Sequence, residues 1–305
     1  MKTIISGSLA YDRIMDFPEY FSDHILPDKI HVLNVCFMVN SVTENFGGTA
    51  GNIAYALKLM GGEPQISATI GQDNHRYLEW LGNNSISTSG IRIITDDMTA
   101  GAYITTDKGD NQITGFNPGA MKNSSNLDFE SLDSDTLVII SPGNIDDMIT
   151  YPVMCREKRI KYIFDPGQAM PMLQKDDLLR CIDGCTLLMV NDYEMNLITN
   201  KTECTMEEIL ERAGSTVITL GEKGSTLYSG TESTSIAPAA AAKVIDPTGA
   251  GDAYRGGLLK GLMDGKPLQE CCRIGSVCAS FAVECYGTQV YTFTGEQFAE
   301  RYKTL

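Results

Sequence analysis

Asp246-Pro247-Thr248-Gly249-Ala250-Gly251-Asp252-Ala253-Tyr254-Arg255-Gly256-Gly257 is a turn of very small residues feeding a helical pattern that runs to about Met263. Gly249, Ala250 and Gly251 place little side-chain bulk around their N–H groups. At a helix N-terminus such donors lack intrahelical acceptors and add to the positive end of the helix dipole, so the turn makes an anion site. Asp252 falls in the first turn beside it. It reads either as a capping Asp after a Gly-rich turn or as a base toward an attacking hydroxyl, since a carboxylate there weakens phosphate binding and needs a separate use. Other phosphate loops fit poorly. No GxxxxGK[ST] occurs, and Gly249-x-Gly251 lacks the third glycine of a dinucleotide fingerprint because Tyr254 stands in its place. That argues against an NAD enzyme.

Outward from this turn, short apolar runs alternate with helical patterns. Lys2 to Leu9 reads as a buried strand ending near Gly7-Ser8, and a helix runs from about Gly48 to Gly61-Gly62. Further strands are expected over Gln65–Ile70, Leu137–Ser141, Tyr162–Asp165, Leu187–Asn191 and Thr216–Leu220, with helices over Ile145–Lys158 and Met206–Ala213. This alternation implies an α/β fold, a three-layer α/β/α arrangement with a mostly parallel sheet covered on both faces. Two β-rich excursions interrupt it. Tyr11 to Phe46 holds Pro18, Pro27 and a β-leaning run, His31 to Val39, and Thr99 to Phe116 reads as a hairpin around Asp107-Lys108-Gly109-Asp110-Asn111. Together, over about 11–46 and 97–117, they are expected to form a small β-sheet lid on a single domain spanning 1–305, above the strand ends where open α/β sheets bind ligands.

The chain has 305 residues, 43% of them hydrophobic, ample for one large core. A formal net charge of −15 repels polyphosphate and excludes nucleic acid as an expected partner. The nine cysteines are odd in number and form no CxxC, and three histidines make no zinc constellation. Thiols in apolar helical runs suit a reducing cytosol. The apolar start is too short for a signal peptide, and no stretch approaches the roughly 18 apolar residues of a membrane span. A cytoplasmic chain without membrane contact is expected.

The Asp246–Gly257 stretch resembles the C-terminal signature of the ribokinase-like (PfkB) family of sugar and nucleoside kinases. Gly47-Gly48-Thr49-Ala50-Gly51-Asn52-Ile53-Ala54 resembles the family's N-terminal signature. The resemblance implies ATP and Mg²⁺ as cofactors and Asp252 as catalytic base, with Gly249, Ala250 and Gly251 around the travelling phosphoryl. It implies substrate contacts from Ser8, Asp12, Gly47, Gly48 and Asn52. A carboxylate suits a cis-diol because each oxygen can accept one O–H. Asn191-Asp192-Tyr193-Glu194 resembles the N-x-x-E element that holds the Mg²⁺–phosphate network, with Glu194 reaching metal through water; read alone it is also an acidic helix start. Thr219-Leu220-Gly221-Glu222-Lys223-Gly224 resembles the nucleotide segment, and read alone it is also a hairpin turn, with Lys223 facing either solvent or phosphate.

The resemblance narrows to bacterial adenosine kinases of the mycobacterial type through Gly7 to Pro18, Leu26-Pro27, Asn117-Pro118-Gly119-Ala120-Met121 and Gly287-Thr288-Gln289. It implies a purine held between Tyr103 and Phe116, with Gln168 beside the substrate, transfer to the 5′-hydroxyl of adenosine, and a lid-mediated homodimer. Ala169 stands where a second glutamine is expected, which leaves inosine, guanosine and cytidine open. Ala10, where ribokinases tend to carry Asn, argues against free ribose. A kinase for ribose or a fructose phosphate is the rival reading; a phosphorylated sugar would need cations near the lid, for which Lys29, Arg92 and Lys108 are the sparse candidates. A catalytically silent nucleoside sensor is the rival from a different class.

Overall fold

The computed structural model describes the backbone of residues 1–305 and the side chains of all but Lys29 and Ile30. Thirteen strands form two sheets. In chain order they are β1 (Lys2–Ser6), β2 (Ala10–Asp16), β3 (Ser41–Gly47), β4 (Pro64–Ile70), β5 (Ile91–Ile93), β6 (Ala100–Thr106), β7 (Gln112–Asn117), β8 (Thr136–Ile140), β9 (Lys161–Phe164), β10 (Leu187–Asn191), β11 (Thr216–Thr219), β12 (Ser225–Ser229) and β13 (Glu232–Ile236). The helices are α1 (Phe21–His24), α2 (Thr49–Leu59), α3 (His75–Asn83), α4 (Ile145–Lys158), α5 (Lys175–Ile182), α6 (Asp192–Thr202), α7 (Met206–Arg212), α8 (Ala250–Met263), α9 (Leu268–Ala282) and α10 (Gly295–Tyr302).

The large sheet has the order β13-β12-β11-β10-β9-β8-β1-β4-β5. It is parallel from β11 to β5 and antiparallel at β12 and β13. Side chains alternate across a strand, and both faces here are apolar. Ile5, Ile139, Ile163, Met189 and Val217 point into one core with α2, α3, α8 and α9. Ile4, Val138, Phe164, Leu188 and Ile218 point into a second core with α4, α5, α6 and α7. This is the three-layer arrangement that continuous apolar strands require. No described helix is long and apolar enough to cross a membrane.

The smaller sheet, order β3-β2-β6-β7, is the lid. The expected hairpin is β6–β7, closed by Asp107, whose carboxylate accepts from Gly109 N and Asn111 N. The His31–Val39 run is not a strand. Pro27–Val32 forms a 3-10 turn, Val32, Leu33 and Met38 are exposed, and Phe37 packs on Phe17 and Phe21. β propensity acts only where a partner edge is free, and the open edge of β2 is taken by Ser41–Gly47.

Candidate active site

The C-terminal ends of β9, β10 and β11 open into a cleft of about 460 Å³, lined by Asp165, Gln168, Asn191, Glu194, Gly221 and, from α8, Gly249, Gly251, Asp252 and Arg255. The α8 turn is built as its composition demands. Gly249 is the N-cap at φ +75° in the left-handed region, and a Cβ on it would come within 2.8 Å of Thr288 Cγ2. The N–H groups of Gly249 and Gly251 have no partner among the described residues, whereas Ala250 N donates to Pro247 O at 3.2 Å and closes the turn. The open donors are therefore two of the three expected.

Asp252 stands in the first turn of α8. Asn52 Nδ2 donates to its Oδ2 at 2.8 Å. Burial pushes its carboxyl up to about 6, while Arg255 and the Asn52 bond oppose the rise. Arg255, one turn on, is 7% exposed and donates from Nη2 to Asp165 Oδ1 at 2.6 Å. Burial works most strongly against its charge, but Asp165, Asp252 and Glu194 together outweigh burial and hold the guanidinium protonated. Its Nε has no partner, and Nη1 lies 2.8 Å from where a Cβ on Gly251 would sit. A buried cation therefore lies beside the anion turn. Arg255 belongs to the Asp246–Gly257 stretch, and its spacing of three residues from Asp252, one helical turn, is the local signal that places it beside the site.

Asp12 lies on β2 opposite Asn45 of β3 and Ala102 of β6. A Cβ on Gly47 would come within 2.3 Å of its Oδ2, so glycine there leaves room for the carboxylate. Burial raises the Asp12 carboxyl, its charge reaches Asp252, and its oxygens have no hydrogen-bond partner among the described residues. Gly48 precedes α2 at φ +86°, which turns the chain from lid strand into helix.

The other expected contact residues divide between the site and its surroundings. Ser8 is buried, and its hydroxyl accepts from Thr49 N at 3.1 Å, so it caps α2 and does not face the cleft. Phe116 pairs with Ala102 and shares the Asp12 face of the lid. Tyr103 pairs with Gly115 and points to the other face, where Arg13 Nη1 donates to its hydroxyl at 3.1 Å. The two rings are not brought together around one base within this chain. Gln168 is exposed at the cleft, in the 3-10 turn after β9.

Asn191 and Glu194 form a reciprocal capping box at the start of α6: Glu194 N donates to Asn191 Oδ1 at 2.7 Å and Asn191 N to Glu194 Oε2 at 2.8 Å. Burial and then the Asp165 charge raise the Glu194 carboxyl. Thr219 pairs with Ser225 in the β11–β12 hairpin, and both Thr219 and Gly221 line the cleft. Lys223 is exposed and does not line it. Gly224 serves packing, since a Cβ there would strike Ile236 O at 2.1 Å. Among the described residues no three His, Cys, Asp or Glu gather as a metal nest. That donor set fits Mg²⁺ carried mainly by phosphates and waters, with Glu194 among the carboxylates that line the cleft.

Residues 20–293 match the family described as pfkB family carbohydrate kinase. The chain is 33% identical over 279 residues to a nucleoside kinase of Methanocaldococcus jannaschii, covering 90% of this chain and 91% of that one. The fold is also similar to structures of Burkholderia thailandensis nucleoside kinase. With inosine, the identity is 36%, the TM-score 0.88 and the coverage 99% of this chain and 98% of that one. With ADP-inosine, the values are 38%, 0.84, 99% and 95%. With both signatures meeting at one cleft of this fold, the chain belongs to the PfkB family of carbohydrate kinases, phosphotransferases with an alcohol group as acceptor, and within it stands with the nucleoside kinases.

Proposed function

We propose that this chain transfers the γ-phosphoryl group of ATP to the 5′-hydroxyl of purine nucleosides, accepting adenosine and also inosine. The observation that carries this reading is the Asp252 carboxylate, held by Asn52 at the head of α8 between the unpartnered N–H groups of the Gly249–Gly251 turn and the lid carboxylate of Asp12. Asp12 would accept from the two ribose hydroxyls, which a bare carboxylate in a half-buried site favours. Asn52 would hold the acceptor end, and Gln168 and the Phe116 ring would meet the base.

A single ring on the Asp12 face supports breadth over strict adenosine selectivity. One stacking partner holds any flat base, at roughly 0.5–1.5 kcal/mol beyond area burial, and Ala169 supplies no second amide to read the purine edge. That the B. thailandensis relative was solved with inosine supports the same breadth. A sugar phosphate fits less well. Arg92 sits on the sheet-edge strand β5 and donates to Ser124 O, Lys108 lies over the Tyr20 ring in the lid turn, and the Lys29 side chain lies outside the described residues.

In this reading the Gly249 and Gly251 amides and Arg255 stabilise charge on the phosphoryl oxygens, and Asp252 takes the hydroxyl proton late, as the new P–O bond forms. Bound Mg²⁺ would supply charge neutralisation on the phosphates, with Glu194 and the Asn191 cap as its nearest protein support. ADP release should be measured with ATP and Mg²⁺ over adenosine, inosine, guanosine, cytidine, ribose and fructose 6-phosphate. Turnover with adenosine and inosine at kcat/KM values within about tenfold of each other, and at least a hundredfold above ribose, is expected. Preference for ribose or the sugar phosphate would overturn the nucleoside assignment. No ADP with any acceptor would support a silent sensor.

A further inference from the structure

Asp252 receives its hydrogen bond from an amide that could equally present oxygen. Asn and Gln keep nearly the same shape when their terminal O and N exchange, so only their neighbours decide which end faces where. Asn52 pointing Oδ1 at Asp252 would set acceptor against carboxylate. The direction is decided two residues away. Trp80 Nε1–H, which can only donate, gives its hydrogen to Gln289 Oε1 at 3.0 Å. Tyr77 has already given its single hydroxyl hydrogen to Gly47 O at 2.6 Å, so its oxygen can only accept, and it does so from Gln289 Nε2 at 2.8 Å. Both contacts demand the same orientation of Gln289. Its Nε2 then donates to Asn52 Oδ1 at 3.0 Å, which leaves Asn52 Nδ2 for Asp252. Gln289 is 1% exposed, so water does not compete for these bonds.

We propose that Trp80, Tyr77 and Gln289 are positioning residues of the phosphoryl transfer. They form a one-way hydrogen-bond chain that keeps the Asn52 amide donating to Asp252 and so keeps that carboxylate aimed and available as a base. The inference rests on the reading of Asp252 as the base. The chain joins parts far apart in sequence: Asn52 lies on α2, Tyr77 and Trp80 on α3, and Gln289 after α9. It also meets the lid root. Phe46 of β3 stacks on Trp80 with centroids 5.1 Å apart, and Gly47 supplies the oxygen that orients Tyr77. The groups facing Asp252 are Arg255 on its own helix, Asn52 on α2, Asp12 of the lid, Asp165 after β9, and the hydroxyls of Tyr77 and Tyr291. Of these only Asn52 is an amide, whose donor and acceptor ends exchange with almost no change of shape, and the Tyr77 hydroxyl hydrogen is already committed to Gly47 O.

Two locks act on Gln289, so single removals should be mild and joint removal severe. Trp80→Phe and Tyr77→Phe are each expected to keep kcat within about threefold, and the double variant to lose about tenfold or more. The acidic limb of its kcat/KM profile should move to higher pH, since Asp252 loses a donor and meets an acceptor. Melting midpoints should change additively. A double variant with native kcat and a native acidic limb, whatever its melting point, would reduce the chain to core packing and overturn the proposal. Asp252→Asn is measured alongside. If it keeps turnover, the base assignment fails; if it is inactive while the double variant is native, only the relay fails. Should the double variant not fold, the native protein gives the second readout. Trp80 is the sole tryptophan, so the one indole N–H resonance should titrate with the kcat/KM midpoint and hold still in Asp252→Asn. An indole signal indifferent to that titration overturns the relay.

Discussion

Burial lifts the Asp252 carboxyl from an ordinary value of 3.8 to about 6, and that one displacement acts on chemistry and on folding in opposite directions. In the proposed role as base it helps: the group remains ionised at pH 7.5 yet holds a proton more firmly than a solvated aspartate, which would suit late capture of the alcohol proton. Asp252→Asn should lower kcat by about 10²–10⁴ while nucleoside binding stays nearly intact. In the native enzyme kcat/KM should fall about tenfold per pH unit below about 6, as the base is protonated. For folding it costs. The carboxyl binds its proton more tightly folded than unfolded, so protonation favours the fold. The destabilisation by its charge is absent below 3.8, grows as pH rises towards about 6, and stays constant above. The Asn variant should therefore melt higher than native at pH 7.5, with the gain gone by about pH 4. Thermal melts across pH beside the kinetic profile test both halves; an Asn variant that melts lower at pH 7.5 would contradict the burial account.

At the scale of the element, the lid carries the question of the base. Sheet register decides which lid residues face the nucleoside, because a shift of one position sends a side chain to the other face. Phe116 shares the face of Asp12 and Tyr103 does not. Phe116→Ala is therefore expected to raise the nucleoside KM about tenfold at little change in kcat, and Tyr103→Ala to leave KM within about threefold. Equal losses would mean that the Tyr103 ring reaches the base by a route outside its own lid. The same register explains what was legible in the sequence. The strand read as Leu137–Ser141, found at Thr136–Ile140, and the helix Ile145–Lys158 are legible because an apolar run and a helix start are local signals. The α8 turn is legible because small residues there answer local steric demands, and Gly47–Asn52 is legible through its resemblance to the family's N-terminal signature. The pairing of Ser41–Gly47 with β2, the turning of Tyr103 away from Asp12, and the use of the Ser8 hydroxyl as a cap for α2 are non-local. So are the Arg255–Asp165 bridge and the Trp80–Gln289 bond. No window of sequence contains both members of those pairs, so their roles had to await the fold.

At the scale of the whole molecule, a net charge of −15 opposes a substrate that is itself an anion. The cleft answers with local donors: the Gly249 and Gly251 amides at the head of α8 and the buried Arg255 guanidinium. These act at contact distance, whereas the surface charge acts over the approach. Salt screens the longer-ranged part first, with a screening length of about 10 Å at 0.1 M against about 30 Å at 0.01 M. Raising ionic strength across that interval at saturating Mg²⁺ should therefore raise kcat/KM for ATP by roughly threefold. The nucleoside is neutral, so its kcat/KM at saturating ATP should stay nearly flat over the same range. The contrast separates field from chemistry, because a salt effect on Asp252 or on the lid would move both constants together. A fall in kcat/KM for ATP with salt would mean that the few donors at the α8 turn dominate the encounter as well as the contact, and that the acidic surface has no part in ATP capture.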